Sequence, residues 1–236
     1  MRLLLISNST NAGEAYLEYP KNEMRWFLGT KTIKALFIPY AAVTFSYDDY
    51  EEKVKNRFRE IGHDIVSIHH YEDPVKAVEE ATAIVIGGGN TWMLLKCLQD
   101  NGLLQVIRGR VAGGIPYIGW SAGSNVACPT IRTTNDMPVA EPAGFNALNL
   151  VPFQINPHYL DENPAGHVGE TREQRILEFI EVNPGIFVVG LREGTMLLIE
   201  DRGISLIGKR KARIFKKGAE TIEKDPDENI SFLLNK

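Results

Sequence analysis

A serine between two glycines is the strongest indication of chemistry in this chain. The pentapeptide Gly119-Trp120-Ser121-Ala122-Gly123 follows the apolar run Ile115–Ile118 and leads into small residues, which predicts a strand, a tight turn and a helix. In such a turn the serine adopts strained backbone angles, and the glycines let the chain fold back without Cβ clashes. The helix N-terminus beside the hydroxyl would stabilise an anion. The pattern therefore indicates a nucleophilic serine, although so short a motif also occurs in ordinary turns.

A run of glycines supplies a second candidate feature. Gly87-Gly88-Gly89-Asn90 follows the apolar run Ala83–Ile86 and precedes a helical segment that begins near Thr91. Backbone N–H groups of Gly88 and Gly89 can approach a ligand closely, so they could bind an oxyanion together with the N–H of Ala122. The dinucleotide fingerprint fails, because Trp92 stands where its third glycine belongs, and a P-loop lysine is missing.

A serine nucleophile needs a base, which is usually a histidine. His158 follows the apolar segment Leu150–Ile155, so it is expected just after a strand downstream of the serine. His167 looks like an exposed turn residue, and the adjacent His69 and His70 are typical of a surface pair. Placement therefore favours His158 as the base.

An acidic side chain must hold the imidazole in the correct tautomer. Asp136 lies in a loop and would give the order Ser, Asp, His, whereas Glu193 stands at the end of the apolar run Phe187–Gly190. Strand-end placement offers Glu193 the more rigid support, while Asp136 could contact the substrate instead. The residues alone leave both acids open.

Alternating apolar runs and amphipathic segments predict the architecture. Strands are expected at Leu3–Ile6, Ala35–Ile38, Ile65–Ile68, Ala83–Ile86, Pro116–Gly119 and Phe187–Gly190, and helices at Tyr47–Ile61, Val75–Ala81, Thr91–Asn101 and Thr171–Val182. Strands that are apolar at consecutive positions are typical of a parallel sheet buried on both faces. The pattern predicts a doubly wound α/β fold, whose ligands bind at the carboxyl ends of the strands.

The pattern changes near the C-terminus. Met196–Ile199, Ile204–Ile207 and Ala212–Phe215 are separated by short turn segments, which predicts an antiparallel extension. No linker composition interrupts residues 1–236, so we expect a single α/β domain.

Composition limits the function classes. With 44% hydrophobic and 24% charged residues and a net charge of −4, the chain resembles an ordinary globular protein, and neither nucleic acid nor a membrane is an expected partner. Its two cysteines, Cys97 and Cys128, lack metal-ligand spacing, so no metal and no other cofactor is expected. The first apolar run is too short for a signal peptide, which favours a cytoplasmic location.

Six blocks of sequence together resemble the peptidase E family of α-aspartyl dipeptidases, which are cytoplasmic serine peptidases. The blocks are Leu4–Thr10, Gly87–Thr91, Gly119–Gly123, Cys128–Pro138, Gln154–His158 and Gly169–Arg175. The family's fold is similar to that of class I glutamine amidotransferases, whose elbow carries cysteine where this chain has Ser121. The resemblance implies that Ser121 is the nucleophile and His158 the base, and Asp136 and Glu193 both match acidic positions considered for the third role.

The resemblance also implies a substrate, a dipeptide with an N-terminal aspartate. A cation should bind its carboxylate, for which Arg172 is the first candidate and Arg132 the second. Asp136 or Glu170 could bind the substrate's α-ammonium group. The sequence does not fix the oligomeric state, for which a homodimer is one option.

Two other functions remain as alternatives. An α/β-hydrolase esterase shares the elbow and the order Ser, Asp, His. A non-catalytic module that binds nucleotides or acidic metabolites could be built on the glycine loop at 87–90.

Overall fold

Eleven strands and seven helices make up the computed structural model, which describes residues 1–163, 165–166, 168–200 and 203–235. The strands are β1 (Arg2–Ile6), β2 (Lys34–Ile38), β3 (Asp64–Ser67), β4 (Ile84–Ile86), β5 (Pro116–Trp120), β6 (Gln154–Tyr159), β7 (Val188–Arg192), β8 (Thr195–Glu200), β9 (Gly203–Gly208), β10 (Ala212–Phe215) and β11 (Ile222–Lys224). The helices are α1 (Lys21–Leu28), α2 (Tyr47–Glu60), α3 (Pro74–Glu80), α4 (Thr91–Asp100), α5 (Leu103–Ala112), α6 (Ala122–Asn125) and α7 (Arg172–Val182).

The main sheet has the strand order β3-β2-β4-β5-β1-β8-β9. Its first five strands are parallel, and β8 and β9 add an antiparallel edge next to β1. This order places the carboxyl ends of β4, β5 and β1 side by side, where an open α/β sheet holds its ligands.

Alternating side chains of β1 show how the sheet is covered. Leu3 and Leu5 pack in a core with residues of α3, α4 and α5, whereas Leu4 and Ile6 pack on the other face with α1 and α2. Successive residues of a strand point to opposite faces, so an unbroken apolar run suits a strand covered on both sides. The predicted doubly wound α/β class, with helices on both faces, is confirmed.

A second sheet carries part of the site. Its order is β11-β10-β7-β6, with β6 and β7 parallel and β10 and β11 antiparallel. The sequence interpretation had placed the run at 187–190 in the main sheet. That run forms β7 of the second sheet. On one face of β7, Val189 packs in the same core as Leu3 and Leu5, and on the other face Val188 packs with Ile176 of α7. A strand buried on both faces gives the same apolar run in either sheet, so composition could not separate the two sheets.

Two helices, α1 and α5, were not expected from the sequence. Within the described residues, none of the helices combines the length and apolar character needed to cross a bilayer. Cys97 and Cys128 are both free thiols, and burial raises the pKa of Cys128 to about 12.

Candidate active site

Ser121 stands at the apex of a strained turn between β5 and α6. Its backbone angles are φ 51° and ψ −111°, a conformation that costs a non-glycine residue about 1–3 kcal/mol. The Ser121 N–H donates to the carbonyl of Ile6 at 3.0 Å, and the hydroxyl of Ser124 donates to the same carbonyl at 2.7 Å. These contacts tie the turn to the end of β1 and hold the hydroxyl of Ser121 at the carboxyl edge of the sheet.

The two glycines of the motif are required by close backbone contacts. A Cβ atom on Gly119 would lie 2.5 Å from the carbonyl oxygen of Gly123, and one on Gly123 would lie 2.1 Å from the carbonyl oxygen of Ile86. A side chain at Gly119 would push the start of α6 away from β5, and a side chain at Gly123 would push it away from β4. The expectation that these glycines let the chain fold back is confirmed.

His158 lies next to the serine, although it is 37 residues away in the sequence. Its Nε2 atom is 3.0 Å from Ser121 Oγ. The sequence placed His158 after a strand; it is instead inside β6, at an irregularity between Pro157 and Tyr159, with φ 54°. The irregularity turns the side chain toward the serine, and the His158 N–H donates to Ser7 Oγ at 3.0 Å.

Glu193 completes the hydrogen-bonded chain. Its Oε1 atom lies 2.7 Å from His158 Nδ1. The turn that carries Glu193 joins β7 to β8, and it is held from the end of β1 because Asn8 Oδ1 accepts a hydrogen bond from Gly194 N at 2.9 Å. The preceding Arg192 is bound by Asp161 and Glu223, and these carboxylates raise the pKa of its guanidinium.

Asp136, the other candidate acid, has different partners. Its Oδ2 atom accepts hydrogen bonds from Thr91 N at 2.8 Å, from Thr91 Oγ1 at 2.5 Å and from Thr134 Oγ1 at 3.0 Å. The carboxylate therefore caps the start of α4 and does not orient the imidazole of His158. Of the two acids that the sequence left open, Glu193 is the one hydrogen-bonded to His158.

The glycine loop lies against the serine. A Cβ atom on Gly88 would lie 3.0 Å from Ser121 Cβ and 2.9 Å from Trp120 Cδ1. Gly87 N and Asn90 N donate to backbone carbonyls, whereas the amides of Gly88 and Gly89 have no acceptor within the part of the chain that the structure describes. Ala122 N, the first amide of α6, is equally free there. Donors free in this position can bind an oxyanion.

Two aromatic residues that the sequence analysis did not single out support this loop. The hydroxyl of Tyr50 donates to the carbonyl of Gly88 at 2.9 Å, and Trp120 Nε1 donates to the hydroxyl of Tyr50 at 3.2 Å. Burial raises the pKa of Tyr50 to about 12, so it stays a donor at neutral pH. Tyr50 lies on the buried face of α2, so its spacing in the sequence is that of an ordinary core residue and gives no sign of a role at the site.

Two cavities meet at Ser121 and His158. One has a volume of about 610 Å³ and is lined on its far side by residues of α2, including Asp49 and Lys53. The other, of about 360 Å³, contains Arg172 and Glu193. Arg172 is half-buried, and its guanidinium forms no hydrogen bond or ion pair among residues 1–163, 165–166, 168–200 and 203–235. Burial lowers the pKa of Arg172.

The remaining candidates lie elsewhere. Arg132 is exposed and stacks over the ring of Phe145 at 4.9 Å, outside both cavities. Glu170 is exposed, and its nearest cation is Arg175, at 3.8 Å. The structure therefore does not bring Arg132 or Glu170 to the serine, and His167 lies outside the described residues.

Among the described residues, one cluster has side chains spaced to hold a metal ion, namely Asp48, Glu51, His69 and His70. None of the four lines the cavities at Ser121. The hydrogen-bonded chain Ser121, His158 and Glu193 can activate a hydroxyl by proton transfer alone.

Comparisons with known proteins identify the family of this chain. The model of peptidase family S51 matches residues 3–207. Peptidase E of Nostoc sp. is 54% identical over 235 residues, covering 100% of this chain and 97% of the relative, and peptidase E of Shigella flexneri is 47% identical over 222 residues, covering 94% and 96%.

Solved structures share the fold. A peptidase from an acI-B1 actinobacterium superposes with a TM-score of 0.69 at 18% identity, over 98% of this chain and 96% of the other. A candidate peptidase E from Listeria monocytogenes EGD-e gives a TM-score of 0.63 at 24% identity, over 88% and 98%. Since the family model and the relatives both span most of the sequence, the chain belongs to peptidase family S51 and is a serine peptidase.

Proposed function

We propose that this serine peptidase is a dipeptidase that cleaves Asp-Xaa substrates through an acyl-enzyme on Ser121. One observation carries the substrate class: the guanidinium of Arg172, without an acidic partner in the described chain, lines the same cavity as Ser121 and His158. A guanidinium binds a carboxylate through two parallel hydrogen bonds, so it suits the side chain of an N-terminal aspartate. The relatives named peptidase E support the coarser activity, that of a peptidase.

The first half of the reaction forms the acyl-enzyme. His158 Nε2 takes the proton of Ser121 Oγ as that oxygen attacks the scissile carbonyl, and Glu193 stabilises the imidazolium that results. The carbonyl oxygen becomes an oxyanion, bound by the amides of the glycine loop and of Ala122. Each such donor contributes about 3 kcal/mol to transition-state stabilisation. The imidazolium then protonates the leaving amine, and the C–N bond breaks.

The second half reverses these roles with water. His158 accepts a proton from the water that attacks the ester, a second oxyanion forms at the same amides, and the imidazolium returns its proton to Ser121 Oγ as aspartate leaves. All proton transfers pass through His158, so no step requires a metal ion.

The free α-ammonium group of the substrate needs a negative partner. Asp136 lines both cavities beside Ser121, whereas Glu170 lines neither. We therefore assign the ammonium group to Asp136, which binds it while holding the start of α4. An N-terminal block on the substrate would remove that interaction.

A panel of dipeptides tests the substrate class. Purified protein is assayed with Asp-Leu, Glu-Leu, Asn-Leu and N-acetyl-Asp-Leu, each with and without EDTA. The proposal expects Asp-Leu to have the highest kcat/KM by a wide margin, with no loss in EDTA. Equal rates on Asp-Leu and Asn-Leu would contradict the role of Arg172, and complete loss of turnover in EDTA while circular dichroism shows a native fold would contradict the metal-independent mechanism.

The two alternative functions have less support. In α/β-hydrolases the acid precedes the histidine, whereas here Glu193 follows His158. A module that only binds nucleotides would not need the hydrogen-bonded chain from Ser121 to Glu193, and assignment to a peptidase family removes that alternative.

A further inference from the structure

Four potential metal ligands come together on the face of α2 that points away from the active-site cavity. Asp48 and Glu51 lie one turn apart on α2, and His69 and His70 form a short 3₁₀ turn directly after β3. One ligand atom from each of the four lies within 4.8 Å of the others. His69 Nε2 is 2.9 Å from Asp48 Oδ1, and His70 Nε2 is 2.5 Å from Glu51 Oε2.

These distances suit a metal ion with four ligands in tetrahedral coordination. Zn²⁺ binds histidine nitrogens and carboxylate oxygens at about 2.0–2.2 Å, which places its ligand atoms about 3.4 Å apart. Asp48 is largely exposed and can move to close the remaining gap, whereas Glu51 is buried and fixed. The change needed is small, because the four ligand atoms already lie within 4.8 Å of one another.

A second hydrogen bond prepares His69 for a metal. Its Nδ1 atom lies 2.6 Å from Ser67 Oγ, so the ring is held from behind with Nε2 facing the cluster. Metal-binding histidines are typically oriented in this way by a partner at their other nitrogen. Ser67 also donates its backbone N–H to Glu51 Oε1 at 3.0 Å, which leaves Oε2 directed at His70.

The charges are also complementary. Two carboxylates with two neutral imidazoles carry a charge of −2, which a divalent cation cancels. Lys55 approaches Glu51 at Oε1, at 3.6 Å, and so leaves Oε2 free to bind the ion. Two nitrogen ligands disfavour Mg²⁺ and Ca²⁺, which prefer oxygen, and favour Zn²⁺.

We propose that Asp48, Glu51, His69 and His70 form a structural Zn²⁺ site that fastens the first turns of α2 to the segment after β3. The opposite face of α2 carries Asp49, Tyr50 and Lys53 into the cavity beside Ser121. The ion would therefore stabilise the helix that forms one wall of that cavity, without contacting substrate. The site is independent of the proposed peptidase mechanism.

Titration calorimetry tests this site. The full chain, free of any affinity tag and stripped with EDTA, is titrated with Zn²⁺ and separately with Mg²⁺. The wild type should bind one Zn²⁺ and show a higher Tm with it. Asp48→Asn and His70→Gln, both at solvent-accessible side chains, should each weaken Zn²⁺ binding by at least about tenfold.

Matched variants separate this site from others. Glu52→Gln, at an exposed neighbour on α2 outside the cluster, should bind Zn²⁺ as the wild type does. Undiminished binding in a His69→Gln/His70→Gln variant whose circular dichroism is native would overturn the proposal. So would loss of binding in His158→Asn alone, because the ion would then lie at the active site. Absence of any Zn²⁺ binding, or Mg²⁺ binding of equal affinity, would overturn it as well.

Discussion

Glu193 lies 2.7 Å from His158, between Oε1 and Nδ1, because the ends of β1 and β7 hold the two residues together. Ser7, which follows β1, bridges β6 and β7: its hydroxyl accepts from the His158 N–H and donates to the carbonyl of Leu191 at 2.7 Å. Asn8 holds the amide of Gly194. Ser7 and Asn8, the polar residues that follow β1, therefore position both the imidazole and its acid, although neither Ser7 nor Asn8 is hydrogen-bonded to Ser121 within the described chain.

Exchange of Glu193 for glutamine should remove the charge that stabilises the imidazolium. We expect Glu193→Gln to lower kcat by about 10²–10⁴-fold, because the imidazolium loses its anionic partner and the amide can favour the wrong tautomer of His158. Steady-state kinetics with Asp-Leu would measure the loss.

Asp136→Asn is the comparison for that variant. It should weaken the cap of α4 and cost about 1–2 kcal/mol of stability, visible in urea unfolding, and it should raise KM through the substrate's ammonium group. Its kcat should fall far less than that of Glu193→Gln. If Asp136→Asn lost as much kcat, the assignment of the acid would be wrong.

Ser121→Ala should abolish most turnover while leaving the fold intact. We expect a loss of at least about 10⁴-fold in kcat, because the residual rate would depend on the oxyanion donors and binding alone. The substitution removes only the hydroxyl group and leaves the packing around Cβ unchanged. The Tm should therefore stay close to that of the wild type, or rise slightly because a hydroxyl group no longer has to be withdrawn from water on folding. Cleavage of Asp-Leu at the wild-type rate would refute Ser121 as nucleophile.

Tyr50→Phe should loosen the glycine loop at 87–90 without touching the reacting atoms. Loss of the hydrogen bond to the Gly88 carbonyl leaves a buried acceptor unpaired, at a cost of about 1–3 kcal/mol in stability. We expect kcat to fall about tenfold, less than the 10²–10³-fold lost with an oxyanion donor itself, and KM to change little. Unchanged kcat would show that Gly88 needs no such support.

Tyr50→Phe should also change how stability depends on pH in the alkaline range. Burial raises the pKa of Tyr50 to about 12, whereas an unfolded tyrosine has a pKa of about 10. Between pH 10 and 12 unfolding therefore releases a proton, and the free energy of unfolding should fall by up to about 1.4 kcal/mol per pH unit for this group. The decline should be shallower in Tyr50→Phe than in the wild type. The exposed Tyr71→Phe is the control and should keep the wild-type slope.

Arg172 should determine selectivity for aspartate. We expect Arg172→Ala to lower kcat/KM for Asp-Leu by about 10²-fold or more, because a buried carboxylate loses a bidentate partner, and to change Asn-Leu turnover far less. Arg132→Ala is the matched control, since that arginine stacks on Phe145 outside the cavities. Equal losses on both substrates in Arg172→Ala would exclude a role in specificity.

The sequence predicted those parts of the site that depend on local geometry. Gly119 and Gly123 indicate a turn that only glycines permit, and unbroken apolar runs identify β1, β4 and β5, whose carboxyl ends meet. His158 could be selected because a base must lie near that edge. The fold class followed from the same alternation of strands and helices.

The parts that the residues alone left open depend on tertiary contacts. Asp136 and Glu193 are both acids in turns, and what separates them is that Thr91 and Thr134 already bind Asp136. Arg132 and Arg172 differ only in which one the fold turns toward the cavity. No spacing rule joins Asp48 to His70, because the two belong to different elements that meet only after α2 packs beside β3.

Labelling with a fluorophosphonate tests the central claim most directly, because only an activated hydroxyl reacts. The account predicts one label per chain, found by peptide mapping on Ser121, with labelling strongly slowed in His158→Ala and slowed in Glu193→Gln. A label on another serine, or an equal rate of labelling in His158→Ala, would contradict it.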